Sequence, residues 1–431
     1  MSVEFLLCLA VLMGLAAIGT PIAYAILVAS FAYLAATGQS IGISGKILMD
    51  GLYQSFILLA VPLFIVAANI MNAGTVSDRL LQFCIALVGR FRGGLGHVNI
   101  LSSLVFSGMS GSAIADAAGI GKLIIEMMVK SGNYSRGYAA AITAASATIG
   151  PIIPPSIPMV LYALVSNTSI GFLFLAGILP GLFMGGVLMI MNAWISHKRG
   201  FAKDEPVPLR DFPRLTLNAG PALLMPAILL YGIYGGVTTP TEAAAVAALY
   251  ALFLAAVFYR SLSLAHFYEI LVSSARSSAA VGLIIGGALI LNYIVASENI
   301  PGVVAHAMVG IDMHPLVFLL CVNLLLLLLG CLLDASTIIL VIIPLFIPAC
   351  RELGIDLVHF GVVAIVNCMI GLITPPYGIL LFVINAVTRI PLAEIIREIW
   401  LFLGVLVAAL LVLILFPDLT LMLPRAFGYS N

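Results

Sequence analysis

The chain has 431 residues and no formal net charge; 63% of its residues are hydrophobic and only 8% are charged. Soluble domains carry about 25% charged residues, so a soluble fold is excluded and most of the chain must lie in lipid. The balance leaves no basic excess for nucleic acid and no acidic tail for docking. In chain order, the first apolar run follows MSVE, which lacks the basic stretch of a cleavable signal peptide, so it reads as a retained first helix. A crossing helix needs about 20 apolar residues. Such runs place crossings near 4–18, 20–37, 55–74, 138–166 and 172–196, with an interrupted segment at 98–128. A second series follows near 222–236, 239–258, 277–297, 360–388 and 399–422, with an interrupted segment at 316–349. Gly, Ser and Asp cluster at the middle of both interrupted segments, which therefore read as re-entrant hairpins.

The two series read as a repeat at an offset of about 220 residues. TPIAYAILVASFAYLAA from Thr20 aligns with TPTEAAAVAALYALFLAA from Thr239, and VPLFIVAANIMNAG from Val61 with VGLIIGGALILNYI from Val281. IGPIIPPSIPMVLYAL from Ile149 against IGLITPPYGILLFVIN from Ile370 is more telling. There the identity falls on a Pro pair, rare in helix interiors. Five crossings per copy is an odd number, so the second copy enters the membrane upside down, as in inverted-repeat transporters. The expected fold is therefore all-α and polytopic. Residues 1–200 form the first repeat, with hairpin 98–128 and broken helix 138–166. A cytoplasmic linker spans 197–220, and 221–431 form the second repeat, with hairpin 316–349 and broken helix 360–388. With the N-terminus outside, fourteen of the 18 Lys and Arg residues fall in cytoplasmic segments. Only Lys46, Arg351 and Arg425 fall outside, and Lys122 lies in the first hairpin, which obeys the positive-inside rule.

Broken backbone at membrane depth is costly and persists only where it lines a site. Four breaks stand out: Ser107 to Asp116, Gly150 to Ser156, Leu332 to Thr337, and Gly371 to Gly378. Gly turns the chain tightly, Pro frees upstream carbonyls, Ser and Thr add hydroxyls, and half-helix ends supply partial charges. Carbonyl and hydroxyl oxygens suit a hard monovalent cation such as sodium, and half-helix N-termini suit an anion. Two cation sites flanking one substrate site are expected. Asp116 and Asp334, one in each hairpin, are the acidic candidates, since a carboxylate at depth is a functional hypothesis by default. Asp334 is the stronger, with Ser336 and Thr337 beside it. Lys122 and Glu126 are expected to form a local i,i+4 ion pair. Glu242 reads equally as a helix cap or a functional group, and Asn167, Thr168 and Ser169 either line the substrate cavity or terminate a helix. The six cysteines read as buried small hydrophobes. The six histidines lack metal-ligand spacing, and no hydrolase, Walker A or Rossmann fingerprint occurs in a suitable context. An intramembrane hydrolase using Asp116 and Asp334 as an acid pair is disfavoured, because both sit in cation-type Gly and Ser loops.

SGSAIAD, GPIIPPSIP, GVTTPTEAAA, LLDAST and GLITPPYG, in this order over nearly the whole chain, resemble the large membrane subunit of TRAP (tripartite ATP-independent periplasmic) transporters. The resemblance implies a non-enzymatic, elevator-type transporter in the bacterial inner membrane, and the Lys and Arg distribution puts its N-terminus in the periplasm. It further implies sodium-coupled import of organic acids delivered by a periplasmic binding protein, beside a small four-helix membrane subunit. By motif position, the first sodium site involves Ser110, Gly111, Ser112, Gly150 and Pro154, and the second Asp334, Ser336, Thr337, Gly371 and Thr374. Asp116, Ser156, Asn167 and Thr168 are the candidate substrate-binding residues. Sodium is the coupling ion, and no other cofactor is expected. Few residues precede the first helix, so the small subunit is expected as a separate chain. A self-sufficient sodium/carboxylate symporter of the same architecture is the alternative.

Overall fold

The computed structural model describes residues 2–54, 56–72, 75–203, 208, 210–300, 302 and 313–430. Residues 204–207 and 209 of the expected linker, and His306, lie outside the described residues. Among the described residues every regular element is helical, apart from one isolated bridge between Arg92 and Lys203. Among the described residues five single helices are long and apolar enough to cross a membrane: Ile170–Lys198, Phe212–Tyr234, Pro240–Phe258, Leu264–Ser297 and Leu392–Leu415. Leu264–Ser297 has 34 residues, about 51 Å at 1.5 Å per residue. It begins well before the expected crossing at 277–297. The polar SSARSS stretch from Ser273 that masked its start stays helical, and only its Ser274 is buried there.

One group of helices packs together as a frame: Val3–Ala17, Ile22–Ala36, Ala60–Asn72, Phe212–Tyr234, Pro240–Phe253 and Leu264–Ser297. Small residues let these backbones approach. Ala243, Ala247 and Ala251, spaced by four, are buried on one face of Pro240–Phe253, which packs on Ala60–Asn72. Glu242 closes a capping box at the start of that helix, accepting from the Thr239 backbone N–H at 2.8 Å and its hydroxyl at 2.9 Å. The cap alternative thus accounts for Glu242. At one end of the frame Glu298 accepts from the Ser2 hydroxyl at 2.5 Å and the Tyr33 hydroxyl at 2.7 Å, joining three helices. The Ser2 hydroxyl and backbone N–H, with Tyr33, hold this carboxyl below its usual range.

The second group holds two helical hairpins and two broken helices. The first hairpin runs out along Gly94–Ser110 and returns along Ala113–Asp116, a π-helical turn Ala117–Gly121, and Lys122–Lys130. The second runs out along Pro315–Gly330 and returns along Ala335–Thr337, a π-helical turn Ile338–Ile342, and Ile347–Glu352. The broken helices are Arg136–Ala147 with Ile157–Ser166, and Leu357–Gly371 with Ile379–Thr388. Packing is crosswise: Ile157–Ser166 lies on the return arm of the second hairpin, and Ile379–Thr388 on that of the first. The long helices Ile170–Lys198 and Leu392–Leu415 brace this body and are pinned at one end by Arg199 and Glu398, bonded at 2.7 and 3.0 Å. Lys122 and Glu126 do not form the expected ion pair; among the described residues the ion pairs are Arg199–Glu398 and Arg425–Asp418. Both residues share the regular helix Lys122–Lys130, and nothing in the structure explains why they stay apart.

Each hairpin's outgoing arm meets the first half of its broken helix through a buried polar pair. Ser103 donates to Ser146 at 3.1 Å in one, and Asn367 donates to Asn323 Oδ1 at 2.8 Å and to its carbonyl at 2.7 Å in the other. Asn367→Ala would strip Asn323 of a donor in a dry interior. We expect a loss of about 1–2 kcal/mol, read as a lower unfolding midpoint in detergent; an unchanged midpoint would show that the pair contributes nothing.

Candidate functional site

The first hairpin tip is built by two residues. Gly111 takes a left-handed φ of 56°, which ends the outgoing helix. Ser112 then caps the return arm, its hydroxyl accepting from the Ala115 backbone N–H at 3.3 Å. Opposite lies the break in the first broken helix, residues 148–156, containing a cis Pro154–Pro155 bond. A Cβ on Gly111 would stand 2.5 Å from the Pro155 carbonyl oxygen, so the two backbones touch only because this residue is Gly. Gly150 in turn faces the Ser112–Ala113 backbone, with 3.7 Å between its would-be Cβ and Ala113 N. Ser156 caps the second half by accepting from the Met159 N–H at 3.2 Å, and donates to the Pro151 carbonyl. Ser110, Gly111, Ser112, Gly150 and Pro154 are thus gathered at one place.

The second tip repeats this logic with different residues. Gly330 ends the outgoing arm and abuts Gly371, whose Cβ would lie 2.7 Å from the Gly330 Cα. Asp334 caps the return arm: Oδ2 accepts from the Thr337 N–H at 3.1 Å and Oδ1 from the Thr337 hydroxyl at 2.5 Å. The facing break contains a cis Pro375–Pro376 bond and is tied to the tip by Gly378 N–H donating to the Cys331 carbonyl at 3.3 Å. The Thr374 hydroxyl donates to the Ile370 carbonyl at 2.8 Å. Asp334, Thr337, Gly371 and Thr374 therefore sit around one junction, with half-buried Ser336 on the same turn. The sequence pairs Asp116 with Asp334, but the three-dimensional equivalents differ. Ser112 and Asp334 are the matching caps, and Asp116 matches Thr337 as the last residue before the π-helical turn.

Asp116 lies deeper than the tip. It is 4% exposed, and neither carboxyl oxygen has a hydrogen-bond partner, the Ser103 hydroxyl donating to Ser146 instead. Behind it runs a chain of buried polar groups that sequence reading missed. Ser103 donates to Ser146, Ser146 to Asn99 Oδ1 at 3.0 Å, and the Asn99 amide to the Thr143 hydroxyl at 2.5 Å. The available signal was polar residues inside apolar runs at matching positions, Ser103 and Ser146 against Asn323 and Asn367.

Asn167 and Thr168 are not brought to the tips. They lie at the far end of Ile157–Ser166, ten residues and about 15 Å from Ser156. Asn167 ends the helix with a φ of 56°, and the Thr168 hydroxyl pairs with that of Ser166 at 2.7 Å.

Each junction thus offers hydroxyls, Pro-freed carbonyls and the N-terminal ends of short helices, with one carboxylate buried beside the first and one capping the second. These oxygens can replace the hydration shell of a hard cation, and the helix N-termini can receive an anion. Hairpin tips meeting broken helices inside an apolar helical body define a multi-pass membrane transport protein. Residues 9–419 match the family described as Tripartite ATP-independent periplasmic transporter, DctM component, and the chain belongs to that family. It is a large permease subunit of a TRAP transporter and not an enzyme. Similar proteins include the sialic acid TRAP transporter large permease protein SiaM of Vibrio cholerae, 42% identical over 97% of this chain and 98% of that protein. The 2,3-diketo-L-gulonate large permease YiaN of Escherichia coli is 35% identical over 97% and 98%, and the C4-dicarboxylate large permease DctM of Pseudomonas aeruginosa 39% over 88% of each. Among solved structures, the YdaH transporter of Alcanivorax borkumensis shares the fold, with a TM-score of 0.64 at 15% identity over 87% of both chains.

Proposed function

We propose that this subunit imports an organic acid across the bacterial inner membrane, driven by sodium and fed by a periplasmic binding protein, together with a small membrane subunit. The observation that carries this reading is the meeting of each hairpin tip with a Pro-broken helix, at Gly111 with Pro155 and at Gly330 with Gly371. One sodium ion sits at each junction: the first among Ser110, Gly111, Ser112, Gly150 and Pro154, the second among Asp334, Ser336, Thr337, Gly371 and Thr374. The acid lies between them, held by half-helix N-termini and by Ser156. The relatives' printed substrates, sialic acid, 2,3-diketo-L-gulonate and C4-dicarboxylates, are all organic acids and support that class.

Asp116 gives the cycle an order. A substrate carboxylate cannot approach this buried, unpartnered carboxylate until a cation has neutralised the region, so sodium binds first. The two series of helices form an inverted repeat with a periplasmic N-terminus. Hairpins and broken helices slide as one body against the frame, in an elevator motion, and the coupling is the higher affinity for acid once both ions are bound.

The test is uptake into proteoliposomes carrying this chain and its small subunit, with a sodium gradient imposed and the binding protein added or withheld. Uptake should require both. Sodium-driven uptake without the binding protein would point to a self-sufficient symporter, and uptake that follows a proton gradient and ignores sodium would overturn the ion assignment.

A further inference from the structure

A groove away from both junctions opens where the first hairpin's root meets the end of Ile170–Lys198. It is a cavity of about 430 Å³ lined by Val88, Phe91, Arg92, His97, Met189, Ala193 and His197. Its walls are apolar and its lip is basic: Arg92 Nη1 lies 3.4 Å from His197 Nδ1. Flanking it, the Arg90 guanidinium lies 5.3 Å from the Phe91 ring centre and the Lys198 ammonium 4.9 Å from that of Trp194. No acidic side chain lines the groove, and none pairs with these cations among the described residues. Below the lip, Ile190 and Trp194 project from the same helix at 72% and 52% exposure.

We propose that this groove binds an anionic phospholipid from the leaflet bordering the linker, its phosphate held by Arg92 and His197 and its acyl chain laid along Val88, Met189 and Ala193. Two features favour a lipid over a free anion. The basic lip continues into an exposed apolar face, which a soluble phosphate has no use for. Trp194 with Lys198 at a helix end is the arrangement that marks the headgroup level of a bilayer. Unpaired cations between helices on the positively charged side of a membrane protein attract acidic headgroups. The site has a mechanical position too, because Gly93 beside it begins the hairpin, and the bridge between Arg92 and Lys203 fastens the linker there.

The chain has two tryptophans, so Trp400→Phe leaves Trp194 as the sole reporter. The full-length variant is reconstituted in vesicles containing either brominated phosphatidylglycerol or brominated phosphatidylcholine, and quenching is titrated against mole fraction. Phosphatidylglycerol should quench at a several-fold lower mole fraction. A juxtamembrane cation contributes about 1 kcal/mol toward acidic lipid, so Arg92→Gln should cut that preference about fivefold. Raising the salt concentration on the unsubstituted lip should also weaken it, a check that does not depend on how the variant folds. Equal quenching by both lipids, or a preference indifferent to Arg92 and to salt, would overturn the proposal. So would a preference that vanishes when the small subunit is added, which would make the groove a protein interface.

Discussion

Asp334→Asn is expected to cut sodium-driven uptake steeply at ordinary sodium concentrations while leaving the subunit at normal levels in the membrane. Asn caps helices about as well as Asp, so the bond now made to the Thr337 N–H can survive the change and the tip keeps its shape. The charge is lost, and the Thr337 hydroxyl, which now donates to Oδ1, must turn to accept from the new amide N–H. Asp334 is half-buried, so losing the ion's charge partner costs less than the roughly 3 kcal/mol or more of a fully buried pair; about 1.4 kcal/mol already raises the sodium concentration for half-maximal uptake about tenfold. Asp334→Ala removes cap and charge together, and should lower the unfolding midpoint in detergent where Asp334→Asn does not. Were Asp334→Asn to transport with unchanged sodium dependence, the carboxylate would be a helix cap and nothing more.

Gly111→Ala should be as damaging by another route. Its φ of 56° costs an L side chain about 1–2 kcal/mol, and the new methyl would meet the Pro155 carbonyl oxygen at 2.5 Å. Neither backbone can yield as a flexible side chain would, so the tip must lift from the break. A shift of this kind at a preorganised site costs about tenfold to a hundredfold in function, and saturating sodium should not restore uptake. Gly119→Ala is the control: nothing lies within 4 Å of its added methyl, although it is in the same return arm. Equal uptake by the two variants would show that close contact at the first tip is dispensable.

The junctions were legible because their residues are out of place in apolar helices. A Pro pair, or Gly and Ser followed by Asp, inside a run of Leu and Ala can be explained only by a break. The internal workings were less legible. Asp116 and Asp334 look alike in sequence, yet one is a cap and the other lies a turn deeper, because Ser112 takes the capping place in the first hairpin. The π-helical turns after Asp116 and Thr337 leave no compositional mark, since Ala117–Gly121 and Ile338–Ile342 read as ordinary helix. Asn167 and Thr168 read equally as cavity-lining or helix-terminating residues, and the structure places them at the end of Ile157–Ser166. Ten helical residues after Ser156 put them about 15 Å from the first break. The long start of Leu264–Ser297 was hidden by serines and an arginine that a helix tolerates on an exposed face.

The crosswise packing of the inner body bears on how two ions would be felt together. Ile157–Ser166 continues from the first break but rests on the second hairpin's return arm, and Ile379–Thr388 continues from the second break but rests on the first's. Each junction is therefore half-built on the other's support. An ion that stills one tip removes motion from the strut on which the other depends, so the second ion pays a smaller entropic cost of ordering. With sodium acting as proposed, the two sites would fill as a cooperative pair rather than as independent neighbours.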